Sequence, residues 1–146
     1  MNILVSACLL NVQCRYDRSG MLHNTVAKLL SSHHLIPVCP EIFGGLGIPR
    51  PPAELKDNSV VSITGEDITK NFEIGAIETL KLAKLYNCKL AILKERSPSC
   101  GSGTVYDGSF TGILIDGNGI TAKLLSENGI DVIGESKIID YFSLKI

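Results

Sequence analysis

Short apolar runs alternate with longer amphipathic segments along this chain of 146 residues. The runs are rich in aliphatic and β-branched side chains and predict strands at residues 2–7, 35–38, 60–63, 89–94 and 131–133. Strands that alternate with helices are typical of a parallel sheet with crossover connections. We therefore expect an α/β fold with one open, mainly parallel, Rossmann-like sheet and helices on both of its faces.

The clearest helix is predicted over residues 69–87, because apolar side chains recur there at steps of three and four residues. Its apolar face consists of Phe72, Ala76, Leu80 and Ala83. A shorter helix is expected to be capped by Asn24 and to end near the two histidines that precede the second strand. The side chains expected on its buried face are Val26, Leu29 and Leu30. Two further helices are predicted over residues 121–127 and 137–142.

Glycine and proline interrupt this pattern. Residues 44–52 contain three glycines and three prolines, which predicts a long irregular loop. Residues 97–103 are rich in serine and glycine and predict a second loop. Residues 106–115 are also punctuated by glycine and form either a loop over the site or a small hairpin.

Composition and charge narrow the class of partner. The chain is 45% hydrophobic and 20% charged, and its formal net charge is -1. It has no run of basic residues of the kind that binds nucleic acid or an anionic membrane, and no apolar segment long enough to cross a bilayer. We expect one domain over residues 1–146, a cytoplasmic location and a small-molecule partner.

Three of the five cysteines follow predicted strands. Cys8 and Cys39 come directly after the first two apolar runs, and Cys100 lies a few residues after the run at 89–94. Because open α/β folds place their sites at the carboxyl edge of the sheet, these three thiols are expected to meet there. Converging thiolates in a reducing compartment indicate a metal site.

The other two cysteines have different expectations. Cys88 lies between the long helix and the next strand, where a buried cysteine acts as a small hydrophobic side chain. Cys14 follows Cys8 by six residues and is a fourth ligand, a redox partner or a packing residue.

Thiolates suit zinc, copper(I) and iron-sulfur clusters. A structural zinc site commonly shows a Cys-x-x-Cys pair, which this chain lacks. Three widely separated cysteines suit a 4Fe-4S cluster with one iron that the protein does not ligate, although four cysteines are commoner.

Two polar side chains accompany these cysteines. Glu41 follows Cys39 by two residues and is a candidate general acid or base, or else a solvated loop residue. Ser97 precedes Cys100 by three residues, and its hydroxyl either faces the same pocket or bonds local backbone.

Five further side chains are candidates for anchoring a polar substrate, with surface ion pairs as the alternative for each. They are Arg15, Tyr16, Asp17, Arg50 and Glu54.

Three motifs together resemble the thiouracil desulfidase family. They are SACLL with CRYD at residues 6–17, PVCPE with GGL and PR at residues 37–50, and SPSCG at residues 97–101. The resemblance extends over nearly the whole chain and is to the short, single-domain form of the family. Asn11 and Arg18 stand where the family pattern has glycine, and Arg18 adds bulk and charge to a loop near the site.

The resemblance implies an oxygen-sensitive 4Fe-4S cluster held by Cys8, Cys39 and Cys100 alone, with one open iron. It also implies that Glu41 is the acid-base residue and that Ser97 activates the substrate. The reaction would be the non-redox desulfuration of a 2-thiouracil-like pyrimidine, which releases hydrosulfide and leaves the oxo base.

Two alternatives of other classes remain open. One is a thiol enzyme in which Cys8 is the nucleophile and Arg15 binds an oxyanion, although six residues rather than five separate the two. The other is a non-catalytic metal or sulfur carrier that uses the same thiolates without needing Glu41.

Overall fold

The computed structural model describes residues 1–144. Its strands, in chain order, are β1 (Asn2–Ser6), β2 (His34–Val38), β3 (Ala53–Lys56), β4 (Ser59–Ser62), β5 (Leu90–Leu93), β6 (Thr104–Tyr106), β7 (Leu114–Asp116) and β8 (Asp131–Gly134). Its helices are α1 (Asn24–Lys28), α2 (Pro40–Phe43), α3 (Thr69–Leu85), α4 (Ile120–Glu127) and α5 (Ile138–Leu144).

A four-stranded sheet in the order β2-β1-β5-β8 forms the centre of the molecule, and all its neighbouring strands are parallel. Ser6 of β1 lies beside Val38 of β2, so these two strands end at the same level. After β1, the chain forms β2 on one side of β1 and later forms β5 on its other side. The predicted open parallel sheet is therefore confirmed, and its carboxyl edge is where such folds hold their ligands.

Apolar side chains on β1 alternate between two cores, as expected of a strand buried on both faces. Ile3 and Val5 pack with Val26 of α1 and Ile138 of α5. Leu4 points to the opposite face, where the core includes residues of α3 and α4. Helices cover both faces of the sheet, as the alternating pattern predicts.

Most predicted elements are found within one or two residues of their expected ends. The long helix is α3, in which Phe72, Ala76 and Ala83 are buried and Leu80 is half-buried. The predicted strand at residues 60–63 is β4, but it pairs with β3 in a separate antiparallel hairpin rather than with the main sheet.

The first helix differs from its prediction. Asn24 is its first residue and His23 occupies the cap position, without a side-chain cap bond. After Lys28 the chain tightens into a 3-10 turn over Leu29–Ser31. A 3-10 helix has 3.0 residues per turn, whereas an α-helix has 3.6, so the side chains here point in other directions than the α-helical spacing predicts. The side chain of Leu30, which that spacing would bury, is 58% exposed.

Residues 44–52 are irregular, as predicted, and the short helix α2 precedes them. The segment after the third cysteine forms the antiparallel hairpin of β6 and β7, so the hairpin alternative is confirmed. Neither α2 nor β3 is predicted by apolar periodicity, because each is only four residues long. Within residues 1–144, every helix is too short or too polar to cross a membrane.

Candidate active site

A cavity of about 480 Å³ opens at the carboxyl edge of the sheet. It is lined by the segments that follow β1, β2 and β5 and by parts of both hairpins. The candidate site residues on its wall are Cys8, Cys14, Arg15, Tyr16, Cys39, Glu41, Arg50, Glu54, Ser97 and Cys100. Residues from four distant parts of the chain therefore meet in one space.

Cys8 lies in a single 3-10 turn, Ala7–Leu9, that directly continues β1. The side chain is buried, and burial raises the pKa of its thiol to about 11 although Arg15 opposes the shift. A cysteine nucleophile requires the opposite shift, toward the thiolate at neutral pH. Without a metal, Cys8 is therefore a poor nucleophile.

Cys39 precedes α2, whose first residue is Pro40. Proline is well suited to this position because it needs no N–H partner there. The helix lies close against α3: a Cβ added at Gly75 would lie 1.9 Å from the carbonyl oxygen of Pro40. Asn71 Nδ2 also donates to the carbonyl oxygen of Gly44 at 2.9 Å. Backbone contact with α3 thus positions Cys39 and Glu41.

Cys100 lies in a tight turn after β5. The backbone N–H of Gly101 donates to the carbonyl oxygen of Ser97 at 2.9 Å, which closes the turn. The N-terminal N–H groups of α4 donate to the same segment, including Thr121 N to the carbonyl oxygen of Ser99 at 2.9 Å. These bonds satisfy the helix terminus and fix the turn that carries the buried Cys100 side chain.

The thiols of Cys8, Cys39 and Cys100 are close enough to interact electrostatically. Burial raises the pKa of Cys100 to about 12, and the other two cysteines contribute to the increase. Among residues 1–144, no three His, Cys, Asp or Glu side chains surround a common point closely enough to hold a single metal ion. Ligands of an iron-sulfur cluster attach to different irons, so their sulfurs need not meet at one point.

Cys14 is buried beside Cys39. Interaction between the two thiol groups lowers the pKa of Cys39 and raises that of Cys14. The carbonyl oxygen of Cys14 accepts from Cys39 Sγ at 3.8 Å and from Arg50 Nη2 at 2.9 Å. Cys14 therefore contacts one of the three expected ligands.

Cys88 lies apart from the cavity in the core beneath α3 and α4.

Glu41 is paired with Arg50. The distance from Arg50 Nε to Glu41 Oε1 is 3.3 Å, and the side chains are only 7% and 19% exposed, respectively. Burial raises the pKa of Glu41, although the Arg50 guanidinium opposes the increase. Arg50 also donates to the carbonyl oxygens of Gly47 and Cys14. Its guanidinium therefore connects the glycine-rich loop to the acid-base candidate.

The hydroxyl oxygen of Ser97 accepts two backbone N–H groups, from Ser99 and from Cys100, both at 3.1 Å. A hydroxyl has two acceptor lone pairs and one donor hydrogen. With both lone pairs engaged, what Ser97 retains for a ligand is its hydrogen. The side chain lines the cavity, so it can act there as a hydrogen-bond donor.

Only part of the loop after Cys14 lines the cavity. Arg15 and Tyr16 line it, with the guanidinium carbon 5.7 Å from the tyrosine ring centre. Asp17 is outside the cavity wall and instead accepts from the backbone N–H and hydroxyl of Ser19 in an exposed turn. Asn11 and Arg18 both have positive φ, 66° and 61°, which is the conformation that glycine adopts without strain.

Part of the cavity wall is contributed by residues that the sequence analysis does not single out. Among these are Ser6, Lys94, Tyr106 and Phe110. Lys94 directly follows β5 and could have been found by the same strand-end argument that finds the cysteines. Ser6 is the last residue of β1, so the same argument applies to it. Tyr106 and Phe110 depend on where the hairpin of β6 and β7 lies, for which apolar periodicity carries no information. In the described part of the chain, no histidine lines the cavity.

A comparison with protein families matches residues 3–137 to the 2-thiouracil desulfurase family. The chain belongs to this family. The matched residues include all three cysteine motifs together with Glu41 and Ser97, so the resemblance based on those motifs is confirmed.

Two relatives extend the comparison of this 2-thiouracil desulfurase family member. The uncharacterized protein YbbK of Bacillus subtilis (strain 168) is 41% identical over 148 residues, which cover 94% of this chain and 98% of YbbK. A solved structure of TudS (DUF523Vcz), described as a 4Fe-4S-dependent thiouracil desulfidase, is 40% identical with a TM-score of 0.92. That match covers 99% of this chain and 97% of TudS.

Proposed function

We propose that this protein is an iron-sulfur-dependent enzyme that removes sulfur from a thiolated pyrimidine resembling 2-thiouracil. The observation that carries the proposal is the convergence of Cys8, Cys39, Cys100, Glu41 and Ser97 on one cavity. Family membership and the described activity of TudS support the same reaction.

The donor set fits a 4Fe-4S cluster. Cys8, Cys39 and Cys100 would hold it, each from a different loop, and three protein ligands would leave one iron open. Thiolates are the ligands that such clusters prefer, and the thiols border a cavity of about 480 Å³. When bound, the cluster would supply a Lewis-acidic iron that polarises the carbon-sulfur bond of the substrate.

The reaction needs water and no external oxidant or reductant. The thiocarbonyl carbon gains the oxygen of water and loses its sulfur, so C=S plus H₂O gives C=O, HS⁻ and one proton. Glu41 accepts a proton from the attacking water, since its buried carboxylate lines the same cavity. Arg50 holds Glu41 Oε1 and leaves the second carboxylate oxygen to meet the water.

Ser97 acts as a donor to the substrate. Its oxygen already accepts from Ser99 and Cys100, so its hydrogen is available to the ring atom on which negative charge develops. The same two bonds keep the hydroxyl in place, which reduces the reorganisation needed during the reaction.

The proposal is tested by anaerobic reconstitution with iron and sulfide, followed by a sulfide-release assay on 2-thiouracil. The wild type is expected to show iron-sulfur absorbance and to release one sulfide for each uracil formed. Cys8→Ala, Cys39→Ala and Cys100→Ala should each lose both signals. Cys88→Ala is the matched control, because this cysteine is equally buried but lies outside the cavity, and it should keep both. Sulfide release that survives Cys100→Ala would refute the proposal.

Glu41→Gln separates catalysis from cofactor binding. This variant should keep the iron-sulfur absorbance and lose turnover by about a hundredfold or more. Full turnover by Glu41→Gln would remove the base assignment. The thiol-enzyme alternative is disfavoured by the raised pKa of Cys8.

We further propose that residues 1–146 form one domain that acts in the cytoplasm on a small thiolated base rather than on a nucleic acid. All five cysteines are free thiols, which suits a reducing compartment. The chain has a formal net charge of -1 and no cluster of basic residues of the kind that binds nucleic acid.

A further inference from the structure

The hairpin of β6 and β7 extends its connecting loop to the cavity. Phe110 and Gly112 in this loop line the cavity wall, as does Tyr106 at the end of β6. The cysteines, Glu41 and Ser97 lie on other segments of the same wall. The hairpin loop is therefore positioned to contact whatever occupies the cavity.

Glu54 of β3 anchors this loop through one carboxylate oxygen. Its Oε1 accepts the backbone N–H of Gly108 at 3.0 Å and the backbone N–H of Phe110 at 3.1 Å. These bonds join residues more than 50 positions apart and connect the two hairpins, whose strands β3 and β6 also contact each other. The anchor is a charged acceptor, which makes stronger hydrogen bonds than a neutral one.

Phe110 is held in an unfavourable backbone conformation. Its φ is 59°, in the left-handed region that a bulky side chain rarely adopts. Unlike asparagine or aspartate, phenylalanine has no polar group that could compensate by bonding its own backbone. Strained residues of this kind persist where surrounding structure holds them, and they are concentrated at functional sites. The bond from its N–H to Glu54 is such a constraint.

We propose that Phe110 is a specificity-determining residue whose aromatic ring packs against the planar ring of the substrate, and that Glu54 is the positioning residue that holds it there. This inference rests on the proposed function and specifies which part of the wall recognises the base. A planar pyrimidine presents a face that stacks well on an aromatic side chain. Sulfur removal itself is left to Glu41, Ser97 and the cysteines, so Phe110 contributes to binding rather than to chemistry.

The test compares Phe110→Ala with the wild type in the reconstituted enzyme. Loss of one stacking partner is expected to raise KM for 2-thiouracil roughly five- to a hundredfold, with kcat and iron-sulfur absorbance changed by less than about threefold. Thiourea has the same thiocarbonyl but no ring, so its kcat/KM should be nearly unchanged by the substitution. Phe142→Ala is the matched control, because Phe142 packs against the core that contains Ile3 and Val5 and is outside the cavity wall.

Two substitutions of Glu54 test the positioning role. Glu54→Ala should raise KM for 2-thiouracil as Phe110→Ala does and should speed hydrogen exchange at the amides of Gly108 and Phe110 by at least about tenfold. Glu54→Gln keeps an oxygen acceptor and should restore both measurements toward the wild type. Since exchange is measured on the folded protein, it separates a released loop from a general loss of structure.

Several outcomes would overturn the inference. They are an unchanged KM in Phe110→Ala, an equal loss of kcat/KM for thiourea, or slow amide exchange in Glu54→Ala. A wild type that releases no sulfide would instead refute the proposed function. In that event, the dissociation constant of 2-thiouracil for the wild type and Phe110→Ala, measured calorimetrically, tests the contact by itself: a weaker constant in the variant supports it and an equal one overturns it.

Discussion

Arg50 Nε lies 3.3 Å from Glu41 Oε1, and this pair joins the short helix α2 to the irregular loop that follows it. Arg50 also donates to the carbonyl oxygen of Cys14, so one guanidinium connects the acid-base candidate with the loop that follows Cys8. A planar guanidinium with several donors can make these bonds at once, whereas an ammonium group is a point charge.

Arg50→Ala should therefore lower sulfide release by at least about tenfold and the free energy of unfolding by about 3 kcal/mol, because it leaves a largely buried carboxylate unpaired. Arg50→Lys keeps the positive charge but lacks the planar guanidinium with its several donors, so it should recover stability more than activity relative to Arg50→Ala. Chemical denaturation and the sulfide assay measure the two effects. Equal activity of wild type and Arg50→Ala would show that Glu41 needs no positioning.

Ser97→Ala should reduce turnover by about a hundredfold, because it removes a hydrogen-bond donor aimed into the cavity. It also leaves two backbone N–H groups without their acceptor, which should cost about 1 kcal/mol of stability for each. Ser97→Thr keeps the hydroxyl and is the matched control for both effects. If Ser97→Ala loses stability while keeping full turnover, the hydroxyl serves the turn alone.

Gly75→Ala tests the close approach of α2 and α3. Alanine favours a helix over glycine by roughly 0.5–1 kcal/mol. The added Cβ would however lie 1.9 Å from the carbonyl oxygen of Pro40 and would force the two helices apart. We expect a net loss of roughly 1–3 kcal/mol and a lower iron content, since α2 begins directly after Cys39.

The matched control for this change is Gly47→Ala. Within residues 1–144, no atom beyond Gly47 and its two chain neighbours lies within 4 Å of the position that its Cβ would occupy. Its stability should stay within about 0.5 kcal/mol of the wild type. A stable Gly75→Ala with normal iron content would show that α2 can move without affecting its cysteine.

Arg18→Gly should raise the free energy of unfolding by roughly 0.5–1 kcal/mol, because it relieves a left-handed backbone at φ 61°. The substitution loses one bond, from Arg18 Nη2 to the carbonyl oxygen of Ile48, which is exposed to solvent and contributes little. Arg18→Ala loses the same bond without relieving the strain and should be less stable than the wild type. Thermal unfolding distinguishes the two, and a less stable Arg18→Gly would contradict the strain argument.

Glu135 predicts a pH dependence of stability. Burial alone would raise its pKa, but bonds from Lys94 Nζ and from the backbone N–H of Glu95, each 2.7 Å long, more than offset burial and lower it. A carboxyl whose pKa is lower in the folded state stabilises the protein above its unfolded pKa of about 4.3 and loses that contribution as the pH falls through the folded value.

Glu135→Gln should accordingly be less stable than the wild type by about 1–2 kcal/mol at pH 7. The difference should shrink as the pH falls below about 4. Urea unfolding at several pH values measures it. A difference that grows in acid would contradict the sign of the shift.

Much of the fold could be predicted from the sequence, because the strands of the main sheet are continuous apolar runs and α3 has a regular apolar face. The first helix shows where such reasoning fails: a 3-10 turn changes the spacing, and Leu30 is exposed. The four-residue elements α2 and β3 were missed because they are too short to show a period. That Cys14 is a fourth ligand stays a prediction, and its carbonyl oxygen lies 3.8 Å from Cys39 Sγ.

By itself, the sequence determined the parallel sheet and the placement of three cysteines after three strands, since local apolar patterns specify strands and the ends of parallel strands share an edge. The family motifs also identified Asn11 and Arg18 as positions suited to glycine, and both have positive φ. Only the tertiary structure decided that Arg50 holds Glu41 and that Glu54 anchors the loop of Phe110. The first contact joins residues nine positions apart and the second joins residues more than 50 positions apart. Side-chain hydrogen bonds of this kind leave no periodic trace in the chain.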